Sequence, residues 1–371
     1  MEFPFAIGNY LYKGTKEKGC FGAVAKCVCR RTRQAVAVKV LLNNNISIEK
    51  ELDILATLNR LPPEKYNIVK FIEYFTSQQA RCMVFEILDQ SLRQVLKLRT
   101  SLPLIELRPI TQQLLVSLYG LRTAGVIHAD LRPANIMKVH DCRPCYVVKL
   151  GDFGHAGYAG RMGCDDVIQP LKYRAPEVSL GYKVTHAADM WSLGCTLTEC
   201  FTGSDLFCDD SIYNNLRSII KLLGLPSRKV LKYGALCEEL FVPADHYSQW
   251  RLKSPEELCR TVGHTPETSE SPLENCSTLE SIFQDSSLQM ASPERRDRMV
   301  FADLIKRLLD TNPRTRLTPT EALYHPFVTM VHLANDNSRY SDWARDLMAG
   351  SLEGHTTASD LCPPPRSAAD Q

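Results

Sequence analysis

The sequence predicts an α+β protein with two lobes, a small strand-rich lobe followed by a larger, mainly helical one. The chain has 371 residues, long enough for about two compact units. Hydrophobic residues make up 44% and charged residues 23%, which is an ordinary globular composition. Short β-branched apolar runs precede about residue 90, and apolar residues at helical spacing dominate after it.

Charge and hydropathy exclude several classes of protein. Lys and Arg number 44 against 42 Asp and Glu, a net charge of +2 that gives no reason to expect direct nucleic-acid binding. No apolar stretch is long enough for a transmembrane helix, and we expect no membrane association. The N-terminal residues lack the features of a secretory signal, so the 14 cysteines are best explained as free thiols of an intracellular protein.

The first lobe is predicted to contain strands at residues 35–42 and 82–88, because both are short apolar runs. An amphipathic helix is predicted between them from apolar residues at three- and four-residue steps: Ile48, Leu52, Leu55 and Leu58. Glu51 lies at the edge of the apolar face of this helix.

The second lobe is predicted from two helical patterns. One stripe ends near Gly125 and consists of Leu107, Ile110, Leu114, Leu118 and Leu121. Residues 187–201 are apolar nearly all round, which predicts a buried helix. Residues 254–296 are rich in Ser, Thr, Pro and Glu and are predicted to be irregular. We assign residues 1–88 to the first lobe, 89–330 to the second and 331–371 to a partly disordered tail.

Two features of the first lobe are compatible with phosphate binding. Gly19 and Gly22 lie between strand candidates, where backbone N–H groups could approach phosphate oxygens, although such a pair also fits a plain turn. Lys39 lies in an apolar strand, where it could pair with Glu51 or extend its ammonium group to solvent.

Residues 126–137 carry the strongest signal. His128, Asp130, Arg132 and Asn135 lie between two apolar runs, and Asp152 follows a short apolar strand. Phosphoryl transfer requires control of charge rather than many covalent partners. Asp130 could accept a hydroxyl proton, and Asn135 and Asp152 offer oxygen ligands suited to Mg²⁺. Helix capping explains any one of these residues but not all of them in this order.

In this order the motifs resemble those of a eukaryotic protein kinase, from the glycine loop to Ala175-Pro176-Glu177. Within the CMGC group, the sequence is most similar to the homeodomain-interacting protein kinases. Val84-Phe85-Glu86, His128-Ala129-Asp130 and residues 189–195 resemble that family. The resemblance covers about residues 10–330, with a CMGC-type insert at about 225–296, and implies the bilobal protein-kinase fold.

The resemblance also implies roles for individual residues, with ATP and Mg²⁺ as cofactors. Lys39 would hold the phosphates and pair with Glu51, Asp130 would take the substrate proton, and Arg132 would support catalysis. Asn135 and Asp152 would ligate Mg²⁺, and Glu177 would pair with Arg316. The implied ATP-binding set is Lys18, Gly19, Cys20, Phe21, Gly22, Val24, Ala37, Lys39, Glu51, Phe85, Glu86, Leu88 and Met137.

The sequence departs from the family at several positions. Glu17 replaces the first loop glycine, Arg132 replaces the usual lysine, and Gly151 replaces a larger apolar residue, which should enlarge the pocket beside Asp152. Val167 replaces the activation-segment tyrosine and Leu171 the nearby arginine, so we expect activity that does not depend on phosphorylation at position 167. Asp165 and Asp166 could supply negative charge there, or they could be ordinary solvated acids.

These observations favour a serine/threonine protein kinase, with tyrosine as a further acceptor in autophosphorylation. The alternatives are a pseudokinase scaffold, for which Glu17, Arg132 and Val167 are the evidence, and a competitor of active relatives. The resemblance suggests protein substrates such as transcription regulators, a monomeric state, and a location in the nucleus or cytoplasm.

Overall fold

The computed structural model describes residues 5–19, 22–41, 48–77, 80–139, 146–163, 168–243, 250–263, 270–273, 276, 278–289, 291–352 and 358–361. These residues form a six-stranded antiparallel sheet with one long helix, followed by a mainly helical part. None of the helices in the described ranges is long and apolar enough to cross a bilayer.

The sheet has the strand order β1-β2-β3-β4-β6-β5. Its strands are β1 (Ala6–Ile7), β2 (Tyr10–Gly19), β3 (Gly22–Cys29), β4 (Ala35–Leu41), β5 (Phe71–Ser77) and β6 (Ala80–Glu86). Side chains alternate between the two faces of a strand. In β4, Val36, Val38 and Val40 enter one apolar cluster, and Ala37 and Lys39 therefore face the opposite side. Both strands predicted for this lobe, β4 and β6, are confirmed.

Helix α1 (Glu49–Leu58) lies between β4 and β5 in the chain and confirms the predicted amphipathic helix. Ile54, Leu55 and Leu58 are buried, and Ile48 is the residue immediately before the helix. Glu51 lies among these buried residues with only 8% of its surface exposed, so its carboxylate needs a cationic partner. A short helix, α2 (Pro63–Tyr66), follows.

The helical part contains the two helices that the sequence predicted, together with many shorter ones. Helices α4 and α6 are the predicted pair, and α6 is buried along nearly its whole length. The first helices are α3 (Leu92–Arg99), α4 (Leu104–Thr123), α5 (Pro176–Ser179), α6 (Ala187–Thr202), α7 (Ile212–Leu223), α8 (Arg228–Tyr233) and α9 (Cys237–Leu240). The later helices are α10 (Pro255–Val262), α11 (Leu279–Phe283), α12 (Pro293–Leu308), α13 (Pro319–Leu323), α14 (Pro326–Thr329), α15 (Arg339–Leu352) and α16 (Ala358–Leu361).

Short strand pairs and 3-10 turns shape the loops between these helices. The paired strands are β7 (Val126–Ile127) with β10 (Gly157–Tyr158), β8 (Ile136–Lys138) with β9 (Val148–Leu150), and β11 (Phe241–Pro243) with β12 (Trp250–Leu252). The 3-10 turns are Pro133–Asn135, Leu171–Tyr173 and Val331–Leu333. The pair β8–β9 matters for the site, because Asn135 directly precedes one strand and Asp152 lies just after the other.

The structure corrects the prediction that residues 254–296 are irregular. Helix α10 begins in this stretch at a capping box formed by Ser254 and Glu257, and α11 begins at one formed by Thr278 and Ser281. Phe283 of α11 is fully buried. Composition was a poor guide because Ser, Thr and Glu also favour the first residues of helices.

A second difference lies after Val331, where the sequence analysis assigned no helix. Helix α15 packs against α4, and Ala344 and Leu347 are buried with Ile105 of α4 in a small apolar cluster. Tyr340, Ala344, Leu347 and Met348 fall on one face of this helix, so the sequence does carry its amphipathic pattern, and the contacts with α4 stabilise it.

Candidate active site

A cleft lies between the sheet and the helical part. Ten residues predicted from the sequence line it: Val24, Ala37, Lys39, Glu51, Phe85, Glu86, Leu88, Asn135, Met137 and Asp152. Four further lining residues, which the predicted binding set did not include, are Val69, Gln94, Ala134 and Gly151. The cleft therefore brings residues from distant parts of the sequence together.

Part of the predicted glycine loop cannot be compared with the structure. Cys20 and Phe21 lie outside the described residues, as do the side chains of Glu17 and Lys18. Gly22 begins β3, and a Cβ added there would lie 2.1 Å from the carbonyl oxygen of Val40. Glycine is therefore required at position 22 for the close approach of β3 to β4.

Lys39 is the cationic group of the cleft, and it is held by two carboxylates. Its Nζ lies 2.8 Å from Oε1 of Glu51 and 3.0 Å from Oδ1 of Asp152. Burial acts to lower the pKa of Lys39, but the two neighbouring carboxylates outweigh it and raise that pKa to about 12. The side chain is therefore an ammonium at neutral pH, and the predicted Lys39–Glu51 pair is confirmed.

Asp152 takes an unusual backbone conformation, with a φ of 59°. The next residue, Phe153, is buried and packs edge-on against the ring of His128, with 5.1 Å between ring centroids. Burial acts to raise the pKa of Asp152, but the Lys39 ammonium outweighs it, so this pKa lies below its usual value. Phe153 thus anchors a segment that presents an ionised carboxylate to the cleft.

The backbone of the loop that contains Asp130 is held by Asp189 of α6, a residue for which the sequence predicted no role. Its two carboxylate oxygens accept hydrogen bonds from the backbone N–H groups of His128 (2.8 Å) and Ala129 (2.9 Å). Ala129 has a φ of 62°, a conformation that costs energy for a non-glycine residue. An acid in a buried helix is the signal that could have revealed this role, because a buried charge requires partners.

Asp130 is 3% exposed, and its carboxylate is held by two neighbours. Asn135 Nδ2 donates to Oδ2 at 2.7 Å and to the Asp130 carbonyl at 2.8 Å. Arg132 Nε donates to Oδ2 at 3.2 Å and lies 3.0 Å from Oδ1, which has no aligned hydrogen-bond donor among the described residues. Asp130 thus lies directly behind Asn135, which lines the cleft.

The cleft also fits a nucleotide with its metal ion. Because Asn135 uses its amide nitrogen for both bonds to Asp130, its amide oxygen is available to a cation, and Asp152 supplies a carboxylate. Such oxygen donors suit Mg²⁺. Val24, Ala37 and Met137 form apolar walls of the kind that a flat heterocycle requires.

The end of β6, where Glu86 lines the cleft, is fixed by Lys149. This lysine is buried, and its Nζ donates to both oxygens of the Glu86 carboxylate, at 2.7 and 2.9 Å. The backbone N–H of Lys70 donates to the same carboxylate at 2.7 Å. The Glu86 side chain therefore points toward these groups, and the sequence analysis did not foresee this role for Lys149.

Gly151 shapes the cleft beside Asp152. A Cβ at this position would lie 3.5 Å from Cγ1 of Val69, which is an ordinary van der Waals contact. The space beside Asp152 is therefore wide enough for at least one additional carbon atom.

The segment after Asp152 is held by Gln169, a residue that the sequence analysis did not single out. Its backbone N–H donates to the Ala129 carbonyl at 2.8 Å, and its Nε2 donates to Ser192 and to the Ala188 carbonyl of α6. Arg174 donates from Nε and Nη2 to the Gln169 carbonyl. The predicted positions Asp165, Asp166 and Val167 lie outside the described residues.

Glu177 forms the predicted ion pair with Arg316. Arg316 donates to both carboxylate oxygens, at 2.6 and 2.9 Å, and both side chains are fully buried. A bidentate pair of this kind fixes orientation as well as distance. The pair ties the end of the segment to the loop that precedes α13.

Comparisons with known proteins agree with the geometry of the cleft. A family profile described as "Protein kinase domain" matches residues 17–328. Homeodomain-interacting protein kinase 2 of Mesocricetus auratus is 37% identical over 326 residues, 85% of this chain and 28% of that protein.

Two further relatives are similar over the same part of the chain. Homeodomain-interacting protein kinase 1 of Caenorhabditis elegans is 34% identical over 340 residues, 86% of this chain and 40% of that protein. Homeodomain-interacting protein kinase 4 of Homo sapiens is 34% identical over 343 residues, 87% of this chain and 56% of that protein. The chain thus spans 28% to 56% of the length of these three relatives.

Proposed function

Since the chain belongs to the protein kinase family, we propose that it transfers the γ-phosphate of Mg²⁺–ATP to hydroxyl groups of protein substrates. Serine and threonine are the main acceptors in this proposal, with tyrosine as a further acceptor in autophosphorylation. The observation that carries the proposal is the convergence of Lys39, Asn135 and Asp152 on one cleft, with Asp130 bonded to Asn135.

The first task of the cleft is to bind and orient a polyphosphate. Lys39 offsets phosphate charge, and the 2.8 Å bond to Glu51 fixes the direction of its ammonium group. Asn135 and Asp152 would hold Mg²⁺, which when bound stabilises the negative charge that develops during phosphoryl transfer. A lysine–glutamate pair and a metal-binding aspartate must both be in place for this chemistry in kinases.

The second task is to position the attacking hydroxyl group and remove its proton. Asp130 is suited to both because Asn135 and Arg132 hold its carboxylate while Oδ1 stays unsatisfied. Arg132 adds a positive charge beside this carboxylate, where it can also offset phosphate charge.

Activity in this proposal does not require phosphorylation at position 167. Gln169 bonds the segment to Ala129 and to α6, and the buried pair of Glu177 with Arg316 fixes its end. These bonds hold residues 169 to 177 in place without a phosphate group.

Two observations argue against the scaffold alternative. The ion pair of Lys39 with Glu51 is intact, and Asp152 lies 3.0 Å from the Lys39 ammonium, as an active arrangement requires. Of the three departures that favour a scaffold, Arg132 is the one whose side chain the structure describes, and it retains a contact with Asp130 instead of disrupting the loop.

The substrates and location are proposed from the relatives. These proteins are named for interaction with homeodomains. We extend this to transcription regulators as protein substrates of this chain, and to the nucleus as its place of action.

The direct test is γ-phosphate transfer to a protein substrate by the wild-type protein and by Asp130→Asn. The variant is expected to lose about 10²- to 10⁴-fold in rate, since the proton acceptor is removed. Asp342→Asn is the matched control, because Asp342 is exposed on α15 and its carboxylate pairs with Arg345. Equal, background-level transfer by wild type and Asp130→Asn would contradict the proposal, and a Mg²⁺–ATP thermal-shift titration would then tell an ATP-binding scaffold from an empty one.

A further inference from the structure

A buried carboxylate with an internal cationic partner lies beside the active-site cleft. Glu199 of α6 has 5% of its side chain exposed. Arg93 of α3 donates from Nη1 to Oε1 at 2.7 Å, and the Tyr173 hydroxyl donates to Oε2 at 2.5 Å. The Arg93 side chain is 47% exposed, so the ion pair can be reached from solvent.

A second ion pair adjoins the first. Nζ of Lys172 lies 2.8 Å from both carboxylate oxygens of Asp205. Burial raises the pKa of Glu199 and the negative charge of Asp205 raises it further, whereas Tyr173, Lys172 and Arg93 act to lower it. Two carboxylates are thus balanced by two internal cations, and removing Arg93 would leave one negative charge in excess.

The charged cluster, formed by Glu199, Arg93, Tyr173, Lys172 and Asp205, lies near the expected site of the protein substrate as well as near the nucleotide cleft. A capping box of Ser91 and Gln94 starts α3, and Gln94, the residue after Arg93, lines the cleft. Helix α3 packs against the 3-10 turn Pro133–Asn135, which closely follows Asp130.

Two more contacts place the charged cluster next to the loop that contains Asp130. The hydroxyl of Thr196, about one helical turn before Glu199, lies 3.5 Å from the carbonyl oxygen of Leu131. Lys172 and Tyr173 belong to the segment that Gln169 ties to Ala129. The charged cluster therefore lies between the Asp130 loop and residues 169–174. We expect the substrate residues that flank the acceptor hydroxyl group to bind next to this place.

We infer that Arg93 is a specificity-determining residue, which occupies the Glu199 carboxylate and so disfavours substrates that carry a cationic side chain next to the acceptor. This inference rests on the proposed kinase function and deepens it by naming the substrate class: peptides with uncharged or acidic residues at that position. A substrate arginine can reach Glu199 only by displacing Arg93. Because Arg93 is attached to α3, its effective concentration at Glu199 is high.

The test compares peptides that are identical except for a single arginine or alanine, placed in turn at each position flanking the acceptor serine. The readout is the ratio of kcat/KM for the arginine peptide to that for the alanine peptide. For Arg93→Ala, this ratio is expected to rise about tenfold at one position, since a carboxylate loses its internal cation. Arg93→Lys, which keeps the charge, is expected to keep the wild-type ratio.

Arg99→Ala is the matched control, because Arg99 lies on the same helix, is 41% exposed and pairs with Glu106 at 2.7 Å. It should leave the ratio unchanged. Adding Glu199→Gln to Arg93→Ala should return the ratio to its wild-type value, since the negative charge is gone while an acceptor for Tyr173 remains. The use of a ratio cancels any uniform loss of activity.

The outcomes separate the two proposals. If Arg93→Ala phosphorylates the peptides with a wild-type ratio at every position, the inference about Arg93 is wrong and the kinase function stands. If Arg99→Ala changes the ratio as much as Arg93→Ala, the effect is not specific to Glu199 and the inference again fails. If wild type phosphorylates no peptide above the Asp130→Asn background, the kinase function fails and the inference with it.

Discussion

At the scale of single residues, Arg132 shows how the active-site loop accommodates a departure from the usual kinase pattern. Arg132 replaces the usual lysine, and its Nε lies 3.0 Å from Oδ1 of Asp130. The side chain is 36% exposed, so its forked end can extend toward the cleft while Nε stays near the carboxylate. The substitution therefore keeps a cation at the place where transfer would build up negative charge.

Arg132→Ala should lower kcat by about 10- to 100-fold while changing the KM for ATP little, because the cation acts on the transferring group and not on nucleotide binding. Steady-state kinetics with ATP as the varied substrate measures both constants. Arg132→Lys serves as the charge-retaining control and should keep most of the activity. A wild-type kcat for Arg132→Ala would show that this cation has no part in the reaction.

Among the helices, α15 is joined to the core by a polar network as well as by its apolar face. Arg108 of α4 pairs with Asp297 of α12 at 2.5 Å, and both side chains are fully buried. The Tyr340 hydroxyl at the start of α15 donates to Oδ2 of Asp297 at 2.6 Å, and Nε2 of His332 lies 2.8 Å from Oδ1. One carboxylate thus connects α4, α12 and the segment that leads into α15.

Asp297→Asn should lower the free energy of unfolding by on the order of 3–5 kcal/mol, because it leaves the Arg108 charge buried without a counter-ion. Tyr340→Phe should cost about 1 kcal/mol, since it removes one hydrogen bond and no charge. Urea unfolding at neutral pH measures both. Asp342→Asn, which breaks an exposed ion pair on the same helix, should have a much smaller effect. A similar loss for Asp297→Asn and Asp342→Asn would exclude the network as a main source of stability.

For the molecule as a whole, two histidines couple folding to pH. Burial lowers the pKa of His325 from its ordinary value of 6.5, although Asp303 acts to raise it, and burial likewise lowers the pKa of His186. Nδ1 of His325 accepts a hydrogen bond from the Phe327 N–H, which requires that nitrogen to be unprotonated. The folded state therefore favours neutral imidazoles.

We expect the free energy of unfolding to fall as the pH decreases below about 6.5, because both histidines bind protons more readily in the unfolded chain. Their contribution is complete above that pH and is lost as the unfolded chain takes up protons. Urea unfolding across the range from about pH 7.5 to 5.5 measures the slope. His325→Asn can still cap α14 but cannot titrate, so it should flatten the profile. Greater stability at acidic pH would show that other groups dominate.

Much of the candidate site could be predicted because its chemistry-bearing residues lie in short, ordered motifs. Lys39, Glu51, Asn135 and Asp152 were all found from spacing and residue type, and the family profile confirms the resemblance that they indicated. Val69 and Gln94 were missed because an apolar residue or a glutamine carries no sign of a cleft.

Local order along the chain was enough to indicate two lobes, helices α4 and α6, and a set of groups suited to phosphoryl transfer, since apolar periodicity and charged motifs are properties of neighbouring residues. The partners of Glu199, Asp189 and Asp297 became known from the folded chain alone. Arg93 lies 106 positions from Glu199 in the sequence, and Arg108 lies 189 positions from Asp297. No local pattern pairs residues at such separations, because packing of whole helices determines which buried charge meets which counter-charge.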